Sequence, residues 1–79
     1  MKIGNTYIVR KSIFNFKVGQ ILTLIRYGYQ AYYGEYNFMF TDMENRNICV
    51  VLRGDDEEDM KIYHHLNEYF EESDDNTNL

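Results

Sequence analysis

The sequence predicts a small α+β domain, a bent antiparallel sheet of four or five short strands followed by one C-terminal helix. Through residues 1–54 apolar side chains recur at every second position, the period of a strand with one buried face. Beyond Gly54 the spacing lengthens to i, i+4 and i+7, the period of a helix. Length supplies the third observation, since 79 residues make a single domain. A chain of this size buries only about 60–65% of its unfolded surface. Eight Tyr and five Phe make so small a core workable, because each aromatic ring buries roughly 150–250 Å².

The first strand is expected over Thr6–Arg10, with Tyr7 and Val9 on one face. Phe14, Phe16 and Val18 follow at spacing two and lead into Gly19. Residues 20–27 are apolar on both faces, with Ile21, Ile25 and Tyr27 on one and Leu22 and Leu24 on the other. That suits a central strand. The stretch GYQAYYG, 28–34, reads as a connection with a glycine at each end. In the next strand Tyr36, Phe38 and Phe40 alternate with Asn37, Met39 and Thr41. DMENR, 42–46, is turn chemistry before the β-branched run NICVVLR, so a hairpin is expected there. The helix is expected from Asp56 to Glu72, presenting Ile62, Leu66, Tyr69 and Phe70 to the sheet. Asp55 or Asp56 caps it, and Glu57, Glu58 and Asp59 sit in the first turn, where the helix dipole favours negative charge. Residues 1–72 form the domain, and 73–79 have little to bury and are expected to be disordered. Such a sheet could close into an SH3-like open barrel, with the helix covering an edge or mouth.

Several short motifs lie along this layout. They are Gly4-Asn5-Thr6-Tyr7-Ile8-Val9, Phe16-Lys17-Val18-Gly19, the aromatic strand Tyr36–Phe40, and Val50-Val51-Leu52. Glu57-Glu58 and Leu66-Asn67-Glu68-Tyr69-Phe70 close the series. Together they resemble a family of small, uncharacterised bacterial domains of unknown function. The resemblance implies a shared small β-rich fold and carries no activity or site residues with it.

Charge is divided along the chain. Residues 1–54 hold seven basic side chains against three acids, and residues 55–79 hold ten acids against Lys61 alone. The overall charge of −5 opposes phosphate backbones and anionic lipid surfaces, so neither nucleic acid nor membrane is an expected partner. One or two acids suffice for a helix start. The excess points to a docking surface for a basic protein, built from Asp55, Asp56, Glu57, Glu58, Asp59, Glu68, Glu71 and Glu72. Tyr29, Tyr32 and Tyr33 in the glycine-bounded loop join it, because loop tyrosines are frequent interface hot spots. Tyrosines also stack on single-stranded bases, but Arg26 is the one cation beside them. A homodimer is an open alternative.

Catalytic signatures are sparse. His64 and His65 are adjacent, so on a helix they point about 100° apart and share no metal. A His64–Glu68 pair at i, i+4 would still lack the third ligand that zinc requires. Cys49 reads as a small buried hydrophobe on an alternating strand. The acidic run lacks a calcium-loop pattern, and no phosphate-binding glycine motif or nucleophile elbow occurs. No cofactor is expected. A lone cysteine and a non-hydrophobic first segment suggest the cytoplasm. The expected function is therefore a non-catalytic binding or inhibitor protein of the immunity-protein or phage-inhibitor kind, engaging a basic protein. The alternatives are a structural or adaptor SH3-like domain that binds a peptide or subunit and, further off, an enzyme using His64 or His65.

Overall fold

A computed structural model describes residues 1–73. The elements are β1 (Thr6–Val9), β2 (Ile21–Gln30), β3 (Glu35–Thr41), β4 (Asn47–Arg53), α1 (Glu57–Tyr63), α2 (Leu66–Tyr69) and β5 (Phe70–Glu72). All five strands join one antiparallel sheet in the order β4-β3-β2-β1-β5. The expected central strand is indeed central. The sheet is open, with β4 and β5 at its two edges.

One face carries the core. Leu22, Leu24, Phe38, Phe40, Val50 and Leu52 point up from the sheet, and Tyr7 and Val9 join them from β1. Their cover comes from Phe16 and Ile13 in the β1–β2 connection, from Phe70, and from the helical segment. Phe40 lies edge-on to Phe16 at 5.8 Å between ring centres and stacks on Phe70 at 5.4 Å. These offset and edge-on arrangements are the ones ring quadrupoles favour.

Phe14, Phe16 and Val18 do not form the expected strand. The backbone N–H of Phe16 donates to the Ile13 carbonyl at 2.8 Å, closing a tight turn with Phe14 at φ 54°. Only Phe16 of the three is buried. The 42–46 turn is as expected: the Asp42 carboxylate accepts N–H bonds from Glu44 and Arg46, each at 2.9 Å.

The largest departure is in the helix. It breaks at His64-His65 into two short helices, and residues 70–72 become a fifth strand. A seven-residue helix spans only about 10 Å, and the chain must turn to return Phe70 to the core. Asp56 caps α1 as expected, its side chain accepting the Asp59 N–H at 3.0 Å. At the other end a His65 ring nitrogen lies 2.8 Å from the Lys61 carbonyl oxygen, which can only accept, so that ring nitrogen carries the proton. His65 thereby satisfies one of the orphan carbonyls of the helix end. Ile62, Leu66 and Tyr69 pack against the core as expected, and Phe70 is buried within it from β5 rather than from a helix. Of the disordered tail expected at 73–79, all but Ser73 lies outside the described residues.

β5 also accounts for much of the charge division. Paired with β1, it sets Glu71 against Arg10 in an ion pair and gives Glu72 the Asn5 amide N–H at 2.8 Å. Lys11 reaches Glu68 at 3.1 Å. Glu68, Glu71 and Glu72 are thus folded back onto the beginning of the chain.

Candidate functional site

The hairpin of β2 and β3 runs on past the core, and its sheet face becomes aromatic. The register slips between Leu24 and Arg26, leaving Ile25 as an extra residue in a β-bulge. Leu24 opposes Phe40, yet Tyr27 opposes Phe38 and Tyr29 opposes Tyr36. Opposed residues share a face, so the bulge moves Tyr27 and Tyr29 onto the face of Leu22 and Leu24. Strict alternation had placed Tyr27 on the opposite face. Tyr29 is likewise a strand residue, not the loop residue expected.

Five rings then line one surface. Tyr27 stacks on Phe38 with centroids 6.2 Å apart, Tyr29 lies 4.7 Å from Tyr36, and Tyr36 stacks on Tyr63 of α1 at 4.1 Å. His64 stands edge-on to Tyr63 at 5.5 Å. With Met1 and Leu66 they line an open cleft of about 480 Å³. Two of its rings remain wet: Tyr27 is 51% exposed and Tyr29 55%. Burial pushes the Tyr63 hydroxyl up from its ordinary value of 10.0, with repulsion from Tyr36 and Tyr27 adding to it, so the phenol stays neutral at physiological pH.

A second hollow of about 340 Å³ adjoins the cleft and is lined by Tyr29, Tyr33, Tyr36, Asp55 and Met60 between two glycines. Those glycines explain the juxtaposition. Gly54 donates its N–H to the Gly34 carbonyl at 2.8 Å, and a Cβ on Gly54 would sit 3.1 Å from that same oxygen. The close approach brings the start of the acidic run to the tip of the tyrosine hairpin.

The structure therefore joins some of the expected site residues and separates others. Tyr29, Tyr33 and Asp55 come together. Tyr32 stands at the tip, 88% exposed, with its ring edge-on to Tyr33 at 4.9 Å. Glu57 and Glu58 face solvent on α1, where Glu58 lies 3.7 Å from Lys61. Asp56 and Asp59 are committed to the backbone, Asp59 accepting the Arg53 N–H at 2.9 Å. Glu68, Glu71 and Glu72 do not share a helix face with that run, because they engage Lys11, Arg10 and Asn5. The expected His64–Glu68 spacing is lost with the helix break. Cys49 is exposed, not buried. Tyr27, Tyr36 and Tyr63 line the site without having been singled out for it, since a bulge has no residue signature here, and Phe38 serves core and cleft together. Among the described residues no three metal-ligating side chains converge, and no helix is long and apolar enough to cross a membrane.

This arrangement of strands has a solved counterpart. The fold is similar to that of an integron cassette protein from the mobile metagenome of Vibrio cholerae, with a TM-score of 0.81 and 22% identity over 92% of this chain and 86% of the other. At that identity the likeness establishes fold alone. No family model and no curated protein matches the chain, in keeping with its resemblance to uncharacterised small domains.

Proposed function

We propose that the protein is a non-catalytic binding protein that engages a basic protein partner through the aromatic cleft and the adjoining acids. The observation that carries this is the shared hollow of Tyr29, Tyr33, Tyr36 and Asp55. Lysine and arginine heads pack on exposed ring faces, worth about 0.5–1 kcal/mol each at wet sites and more when desolvated. A carboxylate beside the rings adds a charge-assisted hydrogen bond. Asp55, Glu57 and Glu58 steer the approach, while Tyr27, Tyr29 and Tyr33 set the lifetime of the complex. Glu68, Glu71 and Glu72 drop out of this surface because they engage Lys11, Arg10 and Asn5 at the β1–β5 side of the sheet, away from the hollow beside β4. An inhibitor or immunity protein works in this manner, and carriage of the structural neighbour on a mobile element is in keeping with it.

The test is affinity capture from the source cell at about 50 and about 500 mM salt, with the triple reversal of Asp55, Glu57 and Glu58 to Lys as control. Exposed charges are screened over about 10 Å at 0.1 M salt, so the partner should be lost at high salt and with the reversed variant. Capture that survives both would instead support the second reading, an SH3-like adaptor holding a peptide in the aromatic groove. The observation favouring that reading is the cleft itself, since peptide-recognition modules use aromatic-lined grooves of this kind.

A further inference from the structure

The two edges of the sheet are protected very differently. β5 is three residues long and carries two exposed glutamates, the usual means of blunting an edge. β4 is seven residues long, pairs with β3 without a bulge, and contains no Pro and no Lys. Which of its backbone groups face outward follows from the hydrogen bonds at its two ends. Arg46 gives its carbonyl to Asp42, and Gly54 gives its N–H to Gly34, so the even-numbered residues turn toward β3. Asn47, Cys49, Val51 and Arg53 therefore turn outward, alternation being fixed along a regular strand. The Asp59 carboxylate takes the Arg53 N–H at 2.9 Å and closes that end. Among the described residues, the outward amides and carbonyls of Asn47, Cys49 and Val51 have no backbone partner.

We infer that this edge is a self-association site, where β4 pairs antiparallel with β4 of a second copy about a two-fold axis through Cys49. The register is the one the free groups allow. It sets Cys49 opposite Cys49 and Asn47 opposite Val51 twice, and each pair exchanges two hydrogen bonds. All three outward residues of each copy are used, and none is left facing the amide that Asp59 already occupies. The facing residues are uncharged, so no like charges oppose one another across the seam. The surface is self-complementary, as a two-fold interface requires. Three paired residues bury less than the roughly 1,200 Å² of a standard interface, so the dimer is a weak one.

Sedimentation or light scattering over a concentration series reads the association directly. The dimer fraction should rise with protein concentration and also with salt, because each copy carries −5 and salt screens their repulsion. That salt response is opposite in sign to the one expected for the basic partner, so the two ideas fail independently. Mild oxidation with diamide reads the register. Diamide removes two electrons and two protons from two Cys49 thiols, forming one disulfide between copies and the reduced hydrazine. Cys49 is the chain's single cysteine, and opposed strand positions about 5.5 Å apart lie within disulfide reach. Val51→Pro removes an outward N–H that the fold does not use and should leave the circular dichroism spectrum intact while abolishing both dimer and cross-link. Should that variant misfold, Cys49→Lys places like charges across the axis on an exposed side chain and should weaken association at least about tenfold. A chain that stays monomeric at millimolar concentration, or a dimer untouched by a folded Val51→Pro or Cys49→Lys variant, would overturn the inference.

Discussion

The core half and the cleft half of the sheet are built from the same two strands, on the same face, with the same kind of side chain. Phe40 is 1% exposed, and Tyr29, four residue pairs along the hairpin, is more than half exposed. The difference lies in what stands above them. Phe16 and Phe70 close over Phe40 from a loop and from β5. Over the tyrosines stands the end of α1, through Tyr63, with Met1 and Leu66 at the margin of an open cleft. Aromatic alternation thus specifies a face, and the distant covering elements decide which part of that face becomes core and which stays available for binding.

The sharpest way to break this contrast is at the core half. Phe40→Ala should lower the unfolding free energy by about 3–5 kcal/mol, the range for a buried ring truncated to Ala. A domain of this size has on the order of 5–10 kcal/mol to lose, so urea titration should show a variant at the margin of folding. Tyr63→Ala tests the roof of the cleft. Tyr63 is half-buried and stacked, so its loss should cost about 1–2 kcal/mol and widen the cleft, with an added Tyr36 signal accessible to solvent quenching. Asp56→Ala removes the α1 cap and should cost about 1 kcal/mol, measured by the same titration, because α1 carries that roof.

The two ends of the hairpins also differ in how they are fixed, and pH reads this out. The Asp42 carboxyl is held below its ordinary 3.8, chiefly by the Arg46 backbone N–H and against a push upward from partial burial. A lowered folded-state value contributes stability that is present above about 3.8 and is lost as pH falls through the lower folded-state value. The 42–46 turn should therefore loosen in acid, and Asp42→Asn should flatten the pH dependence of stability below pH 4. The hairpin tip at 31–34 has no such carboxylate and should show no matching acid transition by NMR.

The sequence made the sheet legible because alternation in residues 6–9, 36–40 and 47–53 is regular and each run ends in turn residues. It made the core residues legible for the same reason. The helix was legible in type but not in extent, since Ile62, Leu66 and Tyr69 keep helical spacing whether the chain is continuous or breaks at His65. What fixes the break is tertiary: Phe70 must reach Phe16 and Phe40, and Glu71 must reach Arg10. The site was half legible. Tyr29, Tyr33 and Asp55, named from the sequence, do come together in one hollow, but the Ile25 bulge that turns Tyr27 and Tyr29 inward depends on the pairing partner, not on residue type. The acidic surface read as one block until β5 formed and drew Glu71 and Glu72 to the other end of the molecule.

The smallest expected effect on stability is the one that sharpens the comparison most. Tyr29→Ala removes a ring of the same size class as Phe40 from the same face. Because that ring is largely wet and lies beyond the covering loop, its removal should leave the unfolding free energy within about 0.5–1 kcal/mol of the parent, the span of a cross-strand aromatic pair. Affinity for the captured basic partner should fall at least about tenfold, as for a truncated interface tyrosine. Stability and binding would then separate along one strand pair, Phe40 acting on the first and Tyr29 on the second. A Tyr29→Ala protein as destabilised as Phe40→Ala would place Tyr29 in the core and remove the distinction between the two halves.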